Sequence, residues 1–127
     1  MSVTIDDLNL FVDERGIIFE PIIADCLPDQ KNAHVVINEP GAVRANHYHL
    51  SGTETIVVMG PSLVRIEEDN RIRDIEVPSQ KVYRFIIPAK TPHAVKNTGD
   101  KPSILIAFNT VAHDPDKPAV VPKVLIE

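Results

Sequence analysis

The stretch Gly41-Ala-Val-Arg-Ala-Asn-His47-Tyr-His49-Leu-Ser-Gly-Thr-Glu54 decides how the rest of the chain is read. One residue separates His47 from His49, and side chains alternate along a β-strand, so both imidazoles point to one face. Glu54 follows at the start of the apolar run Thr55-Ile56-Val57-Val58-Met59. A third imidazole, His93, lies far along the chain in Pro88-Ala-Lys-Thr-Pro-His93-Ala-Val-Lys-Asn97. Three histidines and a carboxylate form the ligand set of a mononuclear metal site that leaves room for water or substrate.

Working outward, short apolar runs separated by turn residues continue to both sides. Strands are expected over residues 17–23, 33–37, 44–50, 55–59, 62–67, 71–77, 83–87, 93–97 and 103–109, with turns at Asp13–Gly16, Glu39–Gly41, Gly60-Pro61, Glu68–Asn70 and Asn97–Asp100. The fold class is all-β, a sandwich or small barrel. Residues 1–127 are expected to form a single domain, with an N-terminal arm over about residues 1–16 and a proline-rich tail over about 112–127. A helical turn is expected at Thr4–Phe11. The tail is expected to lie along the surface or reach a neighbouring subunit.

A chain of 127 residues buries roughly two-thirds of its unfolded surface. A formal charge of −5 with no basic stripe argues against a nucleic-acid partner. Any anion site must therefore be built locally from arginine or lysine. Cys26 stands alone, which excludes an internal disulfide and favours a reducing compartment. The N-terminus lacks the basic and apolar parts of a signal peptide, and no apolar run reaches membrane-spanning length. No membrane contact and a cytoplasmic location are expected.

Alternation also predicts which side chains meet. Ala45, His47 and His49 share one face, with Arg44, Asn46 and Tyr48 on the other. Glu54, Ile56 and Val58 share a face, as do His93, Val95 and Asn97. Together these sets predict one aliphatic-lined pocket with the metal ligands in it.

The same residues resemble the two signature motifs of the cupin superfamily. Gly41, His47, His49, Glu54 and Gly60 match the first, and Pro88, His93 and Asn97 match the second. Lys90 stands where the family usually has glycine, and the strand before Gly60 is one residue shorter than the commonest pattern. The resemblance implies a double-stranded β-helix, the jelly-roll barrel of RmlC-like cupins. The runs Asp13–Ile22, Asn38–His49, Ile87–Pro102 and Ala107–Pro118 are further similar to the cupin domain that ends bifunctional capsular-polysaccharide sugar reductase/epimerase enzymes. In those enzymes it follows a reductase domain, and this chain is expected to be a stand-alone cupin.

That likeness implies an epimerase or isomerase of keto-sugar nucleotides in polysaccharide biosynthesis. It would use one divalent transition metal at His47, His49, Glu54 and His93, zinc first, with iron, manganese or nickel as other fits. His34 and Tyr83 are the candidate acid–base residues, and Arg44, Arg65, Arg84 and Lys90 the candidate phosphate contacts. Each also has a plain reading: an exposed histidine, a packing tyrosine, surface charges. His113 is read as structural and Cys26 as unreactive. An iron-dependent oxygenase and a non-catalytic sugar-binding module are the competing functions, because this scaffold hosts many chemistries. Sheet edges that pair between subunits predict a homodimer in which the N-terminal segment exchanges contacts.

Overall fold

The computed structural model describes residues 2–127. In chain order the strands are β1 (Thr4–Asp7), β2 (Phe11–Asp13), β3 (Gly16–Ile18), β4 (Asn32–Asn38), β5 (Val43–His49), β6 (Glu54–Met59), β7 (Ser62–Glu68), β8 (Arg71–Val77), β9 (Val82–Ile87), β10 (His93–Asn97), β11 (Ser103–Asn109) and β12 (Val120–Pro122). A 3₁₀ turn, Ala24–Asp29, joins β3 to β4. Two five-stranded antiparallel sheets form, in the orders β1-β9-β6-β11-β4 and β12-β5-β10-β7-β8, and β2 and β3 make a separate hairpin. This is the jelly-roll of an RmlC-like cupin.

The core lies between the sheets. Ile56, Val58, Phe85, Ile87 and Leu105 come from the first, and Val64, Ile66, Val77 and Val95 from the second. Each set follows the two-residue period that buries one sheet face. Turn chemistry supports the pairing. Asp69 and Asn70 both take positive φ (52° and 62°), as a two-residue hairpin between β7 and β8 requires. At Gly60 a β-carbon would collide with the Pro78 carbonyl oxygen, so only glycine fits that strand end.

Three expectations change. Thr4–Asp7 is a strand rather than a helical turn, because Val3 and Ile5 lie two apart and pack one face onto the core beside β9. Only Ile17 and Ile18 of the expected strand 17–23 are in a strand, β3, and the chain bends at Ile22, just after Pro21. Of the two courses expected for the tail, the one along the surface of its own chain is found. Val120–Pro122 pairs antiparallel with Tyr48 and its neighbours on β5.

The third change is within β5. His47 stands opposite His93 while Ala45 stands opposite Ala94, so Asn46 is the extra residue of a bulge. Ala45 and Asn46 hold positive φ (68° and 55°), a region asparagine tolerates better than most residues. The bulge breaks the simple alternation expected from Arg44 to His49. It also turns the Asn46 amide toward the chain end. Its Oδ1 accepts from the Leu125 and Ile126 amides at 2.9 and 3.1 Å, and its Nδ2 donates to the Ile126 carbonyl at 2.8 Å.

Candidate metal centre

Strands β5, β6 and β10 bring His47, His49, Glu54 and His93 together. One donor atom from each lies within 4.8 Å of all the others. Glu54 and His93 are buried, and His47 and His49 are half-buried. Below them, Ile56, Val58, Val64, Phe85, Ile87 and Val95 pack against His93 and leave no space for a water molecule. A ligand therefore reaches the cluster from the barrel mouth.

The electrostatics prepare the group to hold a cation. Burial, then the neighbouring His93 and His49, push the His47 pKa down to about 4, so its imidazole is neutral with a free lone pair near neutral pH. Burial alone would raise the Glu54 pKa, but His49 and His93 outweigh it and hold the carboxyl well below the usual carboxylate range. His93 Nδ1 lies 2.9 Å from the Thr91 carbonyl, an acceptor only, so that nitrogen carries a proton and donates it. In the neutral ring, Nε2 then presents a lone pair to Glu54 Oε1 at 2.9 Å. Two acceptors this close need a positive species between them, a second proton or a metal ion. His49 Nε2 is 3.2 Å from Glu54 Oε2, yet off the line of its ring N–H, so it is buried without a hydrogen bond.

These features fit a divalent transition metal. Its ligands would be His47, His49, Glu54 and His93, with the Thr91 carbonyl orienting His93 as outer partners of ligating histidines do. A main-chain carbonyl carries no sequence signal beyond its position two residues before the histidine.

The other candidates go elsewhere. His34 is exposed on β4. The pairing of His34 with Ala107 and of Ala107 with Ile56 puts it on the cavity side of the sheet, roughly 10 Å from β6 at the usual strand spacing. Its Nδ1 is 2.9 Å from Asn32 Oδ1, and alternation along β4 puts both residues on the same face. Tyr83 also faces inward, packed on the core, but at the far end of the barrel. On β9, Ile87 stands beside Glu54 and Tyr83 is four residues away, roughly 13 Å at strand rise.

None of the cations is drawn into the cluster. Arg84 pairs with Asp6 at 3.1 Å, and Arg65 with Asp74 at 2.7 Å. Arg44 reaches across to β4, donating to Asn38 Oδ1 at 3.3 Å. Lys90 is exposed and holds φ 64°, the left-handed conformation that explains glycine in the family pattern, and its amide donates to the His49 carbonyl at 2.7 Å. Its side chain lines a groove of about 440 Å³ with Tyr48, Glu67 and Lys123, on the face of β5 opposite the imidazoles. Asn97 is structural: its amide holds the Asn38 and Lys101 carbonyls at 2.9 and 2.8 Å. His113 is exposed, and Cys26 is half-buried in the 3₁₀ turn.

A jelly-roll barrel with three imidazoles and a carboxylate gathered at its mouth defines an RmlC-like cupin. Within that class, the chain belongs to the family described as the polysaccharide biosynthesis C-terminal domain, whose model matches residues 11–121. A relative from Haloferax volcanii, described as probable low-salt glycan biosynthesis epimerase Agl13, is 30% identical over 92% of this chain and 83% of its own length. The structure of the capsular polysaccharide assembling protein CapF from Staphylococcus aureus superposes with a TM-score of 0.69 at 28% identity. That match covers 93% of this chain and 33% of CapF, so the chain spans about one-third of that protein. QdtA, a sugar 3,4-ketoisomerase from Thermoanaerobacterium thermosaccharolyticum, shares the fold at a TM-score of 0.71 and 13% identity, over 94% of this chain and 86% of QdtA. Among the described residues no helix is long and apolar enough to cross a membrane.

Proposed function

We propose that this chain is an epimerase or isomerase of a keto-sugar nucleotide, working with one divalent metal held by His47, His49, Glu54 and His93. The observation that carries the proposal is the convergence of His47, His49, His93 and the buried Glu54, one donor atom of each lying within 4.8 Å of the others. Family membership and the Agl13 relative support the sugar chemistry.

A metal bound there supplies a Lewis acid that polarises a carbonyl oxygen. The protein supplies the rest. The apolar side chains beneath His93 exclude water from the inner side of the cluster. With Asn32 Oδ1 accepting from Nδ1, His34 keeps Nε2 free to take the proton from the carbon next to the carbonyl. Protonation of the opposite face from solvent water, with the abstracted proton left on His34, would epimerise the centre; protonation of a neighbouring atom would isomerise the ketone. The sugar would lie on the cavity side of the sheet, with its reacting carbon beside His34 and its keto oxygen toward the cluster. Tyr83, at the opposite end of the barrel, takes no part. The same proposal holds the protein to be a single-domain homodimer acting in the cytoplasm.

Elemental analysis of wild type beside a His47→Ala/His49→Ala double variant tests the metal. One equivalent in wild type and none in the variant is expected. TDP-4-keto-6-deoxyglucose, the ligand of a QdtA variant structure, serves as substrate probe in deuterium oxide. NMR should show deuterium entering beside the keto group, slowed about 10²- to 10⁴-fold in His34→Ala. Wild type that takes up no metal and exchanges no proton would defeat the reading.

A further inference from the structure

At the barrel mouth the inner face of the first sheet ends in a row of four side chains. Ile87, Glu54, Asn109 and Asn32 stand opposite one another on β9, β6, β11 and β4. Asn109 follows Leu105 and Ala107 at two-residue spacing. Both of those are buried in the core, so alternation turns the Asn109 amide to the cavity. Its side chain is half-buried, and its main-chain carbonyl accepts from the Lys31 amide at 2.8 Å, which fixes the end of β11.

Both neighbours of Asn109 in the row are turned elsewhere. Glu54 Oε1 and Oε2 face His93 and His49, and Asn32 Oδ1 faces His34 Nδ1. Asn109 thus stands between the metal ligands and the candidate base. It is roughly 5 Å from Glu54 across the sheet and about 7–8 Å from His34 on the diagonal. A sugar with its reacting carbon beside His34 and its keto oxygen toward the cluster crosses β11, where Ala107 offers a methyl group and Asn109 an amide. The row is polar on the His34 side of Glu54 and apolar at Ile87 on the other side.

A ketone has two neighbouring carbons, and a fixed base takes its proton from whichever lies against it. In TDP-4-keto-6-deoxyglucose one neighbour carries a hydroxyl, and the other carries the ring oxygen and the methyl group. We propose that Asn109 is a specificity-determining residue: its amide binds the hydroxyl beside the keto group and so decides which neighbouring carbon lies against His34. This rests on the reaction proposed above and adds the residue that fixes its position on the ring. An amide both donates and accepts, so it satisfies a hydroxyl in either orientation. A ring turned over about the carbonyl would set its methyl group there and leave the amide unpaired, which selects against that pose.

Deuterium entry from deuterium oxide into that sugar nucleotide, read carbon by carbon by NMR, tests the role. Wild type should label only the hydroxyl-bearing neighbour. Asn109→Leu, of similar size but without hydrogen-bonding groups, should label both neighbours, with KM raised about 2- to 10-fold, as for one lost hydrogen bond. Asn109→Gln keeps the amide and should restore the preference. Wild type that labels the methyl-bearing side, or Asn109→Leu with unchanged preference and KM, would overturn the assignment. So would loss of metal from Asn109→Leu, because Asn109 would then act through the cluster. A second measurement needs no turnover. The nitrogen-15 signal of the Asn109 side-chain amide, identified by its disappearance in Asn109→Leu, should shift as the sugar nucleotide is titrated into wild type. An unmoved signal overturns the proposal. A signal that shifts in a protein that exchanges no proton upholds the contact and defeats only the reaction proposed above.

Discussion

His93 Nε2 lies 2.9 Å from Glu54 Oε1 while the opposite ring nitrogen is committed to the Thr91 carbonyl. This geometry suits a shared proton or a metal ion between the two atoms, and the consequences for metal affinity, acid stability and packing can be measured one at a time.

Glu54→Gln removes the only anionic donor of the cluster and leaves its shape nearly unchanged. Zinc affinity should fall by at least tenfold, since even partners one step further out commonly contribute 10- to 100-fold. In thermal melts, zinc at about 100 times its dissociation constant should stabilise wild type by about 2.7 kcal/mol, and the variant far less under the same conditions. Equal zinc protection of both proteins would remove Glu54 from the site.

Acid should weaken the metal-free protein in two stages. His47 has a folded pKa of about 4 against an ordinary value of 6.5, so the unfolded chain binds that proton more readily. Its contribution is whole above pH 6.5 and is lost as the pH falls toward 4. Glu54 is also depressed, so its contribution is whole above its ordinary value of 4.5 and is lost on further acidification. Urea midpoints in chelator at about pH 7.5, 5.5 and 4 should fall in that order, with His47→Gln flattening the upper interval. A midpoint that rises as the pH drops would contradict the assigned directions.

Phe85 is fully buried and packs beneath His93 with Ile56 and Ile87. Phe85→Ala should cost about 3–5 kcal/mol in denaturant unfolding through lost transfer energy and the cavity left behind. A loss under about 1 kcal/mol would mean that the barrel collapses into the space.

Asn46 ties the chain end to the bulge through three hydrogen bonds. Asn46→Gly keeps the positive φ free of strain but deletes those bonds, so about 1.5–4 kcal/mol should be lost. Carboxypeptidase should then trim residues 123–127 faster than in wild type. If Asn46→Ala is destabilising and Asn46→Gly is not, the bulge conformation rather than the tail contacts is what asparagine supplies.

The HxH spacing, the carboxylate after it and the distant histidine were legible in the sequence because a strand's two-residue period decides which neighbours share a face. The same period places His34 on the cavity side. It failed between Arg44 and Asn46, where one extra residue resets the alternation, and no residue type there announces a bulge. It failed again at Thr4–Asp7, where pairing with β9 overrode a weak local preference.

Local order along the chain therefore determined the all-β class, the apolar faces of the strands and the shared face of His47 and His49, since each depends on side chains a few positions apart. The pairing of β10 with β5 brought His93 to that face, and Glu54 joins them from the other sheet. Only the tertiary structure decided that Tyr83 lies at the far end of the barrel, that Arg65 and Arg84 are already paired with Asp74 and Asp6, that the tail joins β5, and that the β2–β3 hairpin stands uncovered. Those facts depend on which distant strands become neighbours and in what register, and that is set by the packing of two whole sheets rather than by any run of residues.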